Sequence, residues 1–133
     1  MDREIKKFCI TCFTDWKNDN FTSSLMQMCK EICECYDFHS ITELFYTTTT
    51  SNETFKCAYQ LMCDKLFQYF GAKPQYILTL IAFSLQLDVR MQPLCSWYQT
   101  DLLINLLYNV LQKVDFNPRN LPWNNRRGNC SLL

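Results

Sequence analysis

This sequence predicts an all-α fold, a compact helical bundle around one buried apolar central helix, and three observations carry that prediction. Tyr76 to Leu87 reads YILTLIAFSLQL, with Thr79, Ser84 and Gln86 its polar members. A helix apolar nearly all round must be wrapped by other helices. The next segment, Leu94 to Val114, is one-sided: Leu94, Trp97, Leu102, Leu106, Val110 and Val114 recur at helical steps, with Gln99, Asp101, Asn105, Asn109 and Gln112 between them. Two glycines and four prolines in 133 residues favour long elements with few tight turns.

The other elements follow in order. Ile5, Phe8, Cys9, Cys12 and Phe13 mark one face of a first helix, which Asn18-Asp19-Asn20 ends. Thr22, Ser23 or Ser24 caps a second, because a short hydroxyl side chain accepts from the free amides of the first turn. Its apolar side is Leu25, Met28, Cys29, Ile32, Cys33 and Tyr36, and it is expected to stop near Asp37–Ser40. Ile41 to Asn52 is predicted as a loop with at most a helical turn at Ile41–Phe45, since Thr47 to Thr50 is a β-branched run poorly suited to helix. Ser51 or Asn52 opens a third long helix with Phe55, Tyr59, Met62, Leu66 and Phe70 along one stripe, widened by Ala58, Leu61 and Phe67. Gly71 stops it by supplying a left-handed position. Pro74 begins the central helix, where its missing amide costs nothing. Asn117-Pro118 and Leu121-Pro122-Trp123 end the helical region, so one domain is expected over residues 1–123 and a flexible tail over 124–133.

Composition excludes several classes. Thirteen basic and thirteen acidic residues cancel, which removes the electrostatic footprint of a nucleic-acid binder. An apolar content of 48% excludes disorder for the body of the chain. The longest apolar run falls short of the roughly 18 residues of a membrane span. Met1-Asp2-Arg3-Glu4 carries mixed charge and leads into a helical pattern, unlike a secretory leader. The nine cysteines are therefore read as mostly free thiols in a reducing compartment, with Cys9, Cys12, Cys29 and Cys33 at helical spacing as core filler.

Chemistry-bearing patterns are scarce, and the chain is read as a non-enzyme. His39 is the single histidine and is read as a surface or capping residue. There is no glycine-rich phosphate loop and no serine-hydrolase elbow. Cys9 and Cys12 form a CxxC pair, and Cys29, Cys33 and Cys35 cluster ahead of His39. Zinc takes four ligands of these types, so a zinc-stabilised helical module is one alternative. The paired cysteines lie in an apolar helical pattern rather than on turns, which favours core thiols, and no metal or cofactor is expected. Cys130-Ser131-Leu132-Leu133 fits the C-a-a-X lipidation pattern, with leucine where geranylgeranyl transfer prefers it and Arg126 and Arg127 upstream. Lipidation at Cys130 would give only marginal membrane affinity without help from those arginines.

Three stretches resemble one family. Leu25-Met26-Gln27-Met28-Cys29-Lys30-Glu31-Ile32 is similar to the third homology motif of the Bcl-2 family, with a thiol at the glycine position and Lys30 at the aspartate. Leu80-Ile81-Ala82-Phe83 resembles the apolar stretch after the family's Asn-Trp-Gly-Arg signature, whose place is taken by Tyr76-Ile77-Leu78-Thr79. Trp123 resembles the tryptophan of the second homology motif. Together with the helix pattern, these resemble the sequence-divergent viral members, of poxvirus and iridovirus type.

The resemblance implies a viral inhibitor of apoptosis in the host cytoplasm, or on a mitochondrial or other intracellular membrane. Its partners would be host pro-apoptotic Bcl-2 proteins, whose amphipathic death-motif helix enters an apolar groove. That groove would be lined by Met28 and Ile32, by Tyr59, Met62, Leu66 and Phe67, and by Tyr76 and Leu80 at the start of the central helix. The family's groove arginine has no counterpart, so Lys73 is the nearest cation in sequence to replace it. Some poxviral relatives have a closed groove and blunt NF-kappa-B signalling by gripping adaptor proteins, which is the second function implied. Homodimerisation is left open.

Overall fold

The computed structural model describes residues 2–71 and 74–121, and among these it holds six helices and no strand. They are α1 (Asp2–Lys17), α2 (Ser24–Cys35), α3 (His39–Thr48), α4 (Asn52–Phe70), α5 (Pro74–Leu94) and α6 (Thr100–Lys113). Lys73, Trp123, Arg126, Arg127 and Cys130, and with them the tail and its lipidation pattern, lie outside the described residues.

The apolar run sets the architecture. α5 packs against each of the other five helices, while α1 lies against α6. Leu78, Leu80, Ile81, Ala82 and Phe83 are fully buried, and burying a leucine such as Leu80 is worth about 1.5–3 kcal/mol. Phe83 meets Phe38 and Phe45 edge-on, with ring centroids 5.5 and 5.7 Å away, and Phe45 meets Phe55 in the same way. The polar members of the run are satisfied internally. Ser84 Oγ donates to the Leu80 carbonyl at 2.8 Å and lies 2.7 Å from the Tyr59 hydroxyl.

Local chemistry sets four of the helix ends as expected. Ser23 accepts from the Met26 amide at 3.1 Å, and Ser51 forms a reciprocal capping box with Thr54. Gly71 ends α4 at φ +72°, with its amide donating to the Phe67 carbonyl. α1 ends at Asn18–Asn20, where Asp19 takes φ +54°.

Three expectations are corrected. The threonine tract is not a loop: α3 runs to Thr48, because Thr47, Thr48 and Thr49 each donate a hydroxyl to the carbonyl four residues back. This back-bonding, with Phe45 buried on the inner face, offsets the poor propensity. α2 stops at Cys35, and the Asp37 carboxylate instead accepts from the His39 amide at the start of α3. The last long helix begins at Thr100 rather than Leu94. Pro93 sits in the final turn of α5, where it forfeits one helical hydrogen bond, and the Cys95 amide still reaches the Met91 carbonyl.

The faces shift accordingly. Leu94 and Trp97 precede α6, whose buried residues are Leu103, Ile104, Leu107, Val110 and Leu111, with Leu102 and Leu106 half-buried. In α4 it is Cys63 that completes the buried stripe of Phe55, Tyr59 and Leu66, while Leu61 and Phe67 are exposed. In α2, Met26 is buried and Met28 only half so.

Candidate functional site

The eight described residues among the nine expected to line a groove do not form one surface. Ile32, Tyr59, Leu66, Tyr76 and Leu80 belong to the buried core. Met28 and Met62 pack half-buried against it. Phe67, 45% exposed, lies edge-on to Tyr76 at 5.4 Å. Burial pushes the Tyr76 hydroxyl up to about 12, as expected of a ring turned inward. The helix turns that set these side chains at three- and four-residue spacing point them at α5, so they fill the centre instead of bounding an opening.

Two depressions lie elsewhere, along the C-terminal half of α5, and share none of those eight residues. The first, about 450 Å³, opens between α2, α3 and α5. Its apolar walls are Tyr36, Phe38, Val89 and Leu94. Val89 and Leu94 are 53% and 52% exposed, unusual for the helix that otherwise forms the core. The second, about 670 Å³, opens between α1, α2 and α5, with Trp16 and Phe21 on one wall and Leu85 on the other. Cys33, Gln86 and Val89 border both, so the two form one continuous strip along the emerging end of α5.

One charged residue of α5 serves each depression. Arg90 lines the first, and its guanidinium reaches His39, with Nη1 2.9 Å from Nδ1 and Nη2 3.2 Å from Nε2. The unprotonated ring nitrogen is the acceptor there. Glu43 Oε1 stands 3.7 Å from Arg90 Nη2 and 3.5 Å from His39 Nε2. The guanidinium also sits 5.7 Å from the Tyr46 ring centre, and its Nε is buried with no partner. His39 is thus an exposed helix-start residue joined to α5 by a cation.

Asp88 borders the second depression and is only 8% exposed. Its Oδ1 accepts from the Tyr98 hydroxyl at 2.6 Å and from the Thr100 hydroxyl at 2.8 Å. Gln92 donates in turn to Thr100 at 2.8 Å. Burial raises the carboxyl above its ordinary value, and the two hydroxyl bonds and Lys17 only partly oppose that. The Tyr98 hydroxyl is raised as well, by its own burial and then by the carboxylate beside it.

Five of the eight described thiols are core groups, while Cys35 and Cys57 are exposed. Cys9, Cys12 and Cys29 are buried, and burial pushes Cys9 and Cys63 up to about 12. Cys33, at the mouth of both depressions, is likewise raised to about 12 and leans on the Ala82 carbonyl at 3.8 Å. Such thiols stay protonated at neutral pH and are poor nucleophiles and metal ligands. No group of three or more metal-type side chains comes together among the described residues. No helix among them is long and apolar enough to cross a membrane.

Asp88 and Arg90 escaped the reading by periodicity, though a signal was present. They are the two charged residues in the whole of Pro74–Leu94, and charges two positions apart on a core helix mark where it meets the surface. Comparison with family models, curated proteins and solved structures finds no match to this chain.

Proposed function

We propose that this chain is a non-catalytic capture protein of Bcl-2 type, a viral inhibitor of apoptosis that binds the death-motif helix of host pro-apoptotic proteins. The observation that supports it best is the emergence of α5. The central helix is buried almost throughout Tyr76–Leu87, yet at Val89 and Leu94 it reaches the surface beside Tyr36 and Phe38. A trough floored by the central helix suits an amphipathic helix with apolar side chains at i, i+3 or i+4, and i+7. Arg90, which lines its edge, gives a carboxylate of that helix a cation to meet in place of Lys73.

Titration of the full chain with a panel of death-motif peptides tests this. Sub-micromolar binding of at least one peptide is expected, weakened by Val89→Glu and by Arg90→Met. Absence of binding across the panel, or binding indifferent to both changes, overturns it.

A second reading has an observation of its own. The trough expected from the resemblance is filled: Tyr59, Leu66, Tyr76 and Leu80 are all core. That favours a closed-groove relative that blunts innate immune signalling through adaptor proteins. The same peptide panel would then be silent, while a reporter of NF-kappa-B activation would fall when the chain is expressed.

A further inference from the structure

We propose that His39, Arg90 and Glu43 form a pH-sensitive clasp between α3 and α5 at the mouth of the α2–α3–α5 depression, closed while the imidazole is neutral and open once it is protonated. A guanidinium only donates, so its short contact to the ring needs an unprotonated nitrogen there. Nδ1 is that nitrogen, 2.9 Å from Arg90 Nη1, which leaves Nε2 to carry the proton and face Glu43 Oε1 at 3.5 Å. A second proton would set one N–H against another at 2.9 Å, on two cations that share one carboxylate oxygen. An imidazole gains that proton between about pH 8 and 5, and this chain has a single histidine.

The surroundings decide which partner moves. The Arg90 side chain is 28% exposed, with its Nε buried and its guanidinium 5.7 Å from the Tyr46 ring centre, so it is held from within. The His39 side chain is 61% exposed and has room to swing outward. Asp37 is committed to the His39 amide at 2.9 Å, a bond to the backbone that leaves the ring unheld. From α2, Cys33 and Tyr36 line the same depression, and neither is a carboxylate. Glu43 therefore remains as the one carboxylate within ion-pair distance of the ring among the described residues. It is half-exposed, where ion pairs are weak, and its oxygen also stands 3.7 Å from Arg90. Phe38 and Phe45 stay packed on Phe83, so opening moves the ring at the start of α3 and leaves the core in place. The mouth widens, because His39 and Arg90 both line it.

The clasp stands on these three side chains and not on what the depression captures, so a silent peptide panel leaves it intact. The test is an NMR titration of the full natural chain between pH 8 and pH 5, read at the His39 ring. At pH 8 the ring should show cross-peaks to the Arg90 side chain. These should be lost by pH 5, while the Val89 and Tyr46 resonances shift with the midpoint of the ring itself. In His39→Gln, which removes the titrating group, the Val89 and Tyr46 resonances should stay flat over the same range. Cross-peaks absent at pH 8, cross-peaks that survive on a protonated ring, or a ring still neutral at pH 5 overturn the proposal from the natural chain alone. Shifts at Val89 and Tyr46 that persist in His39→Gln belong to another group, such as the buried Asp88 carboxyl, and overturn the assignment to His39.

Discussion

Tyr98 donates its hydroxyl to Asp88 Oδ1 at 2.6 Å and so ties the connection after α5 back onto the helix it leaves. The bond spans ten residues and, with Thr100 on the same oxygen, decides where α6 begins. It also sets a cost. Burial holds the Asp88 carboxyl above its ordinary 3.8, so the folded chain takes up this proton more readily than the unfolded one. Ionised Asp88 therefore weakens folding at neutral pH, and that penalty fades as pH falls through its folded pKa toward 3.8. Asp88→Asn should melt at or above the natural chain at pH 7, with the gap closing at low pH. Thermal melts across that range check it. A loss of more than about 1 kcal/mol at pH 7 would mean that the charge itself stabilises the fold.

Tyr59 and Ser84 predict an asymmetry. Their hydroxyls lie 2.7 Å apart in the core, and Ser84 also donates to the Leu80 carbonyl. Tyr59→Phe leaves Ser84 with that second partner and should cost only about 0.5–1.5 kcal/mol. Ser84→Ala leaves a fully buried phenol with nothing better than the Cys63 sulfur, a weak acceptor, and should cost about 1–3 kcal/mol. Denaturant unfolding of both variants decides it, and equal or inverted costs would show the network to be misread.

The all-helical class, the central helix, the caps at Ser23 and Ser51 and the stop at Gly71 were legible because each is a local event. An apolar run, a hydroxyl or a left-handed glycine acts within a turn of itself. What escaped depended on partners distant in sequence. The threonines of α3 look like loop formers until their hydroxyls bond the preceding turn and Phe45 meets Phe83. Pro93 looks like a boundary until Asp88 is seen to hold Tyr98 and Thr100 beyond it. The surface strip was illegible for the same reason. Val89 and Leu94 resemble core residues in sequence, and only the placement of α2 and α3 leaves them uncovered.

Thiol reactivity should sort by burial. Cys35 and Cys57 are exposed, whereas Cys9, Cys12, Cys29 and Cys63 are buried, with pKa values raised by desolvation. A thiol-specific reagent applied to the native protein at pH 7.5 should modify Cys35 and Cys57 first among these six, because the thiolate is the reacting species. Peptide mapping by mass spectrometry reads the order. Early modification of Cys12 or Cys29 would place the α1–α2 contact at the surface.

A matched pair of charge insertions tests the centre of the fold. Leu80 is fully buried, and Leu80→Glu puts a carboxylate among apolar side chains with no partner, costing several kcal/mol against a total stability of about 5–15 kcal/mol. Loss of the cooperative melting transition is expected. Leu61, on the outward side of α4, is 62% exposed, and Leu61→Glu should change stability by no more than about 0.5 kcal/mol. Circular dichroism melts separate the two. If Leu80→Glu melts cooperatively near the temperature of the natural chain, α5 is not the buried axis of this protein, and the strip that emerges from it loses its meaning as a trough.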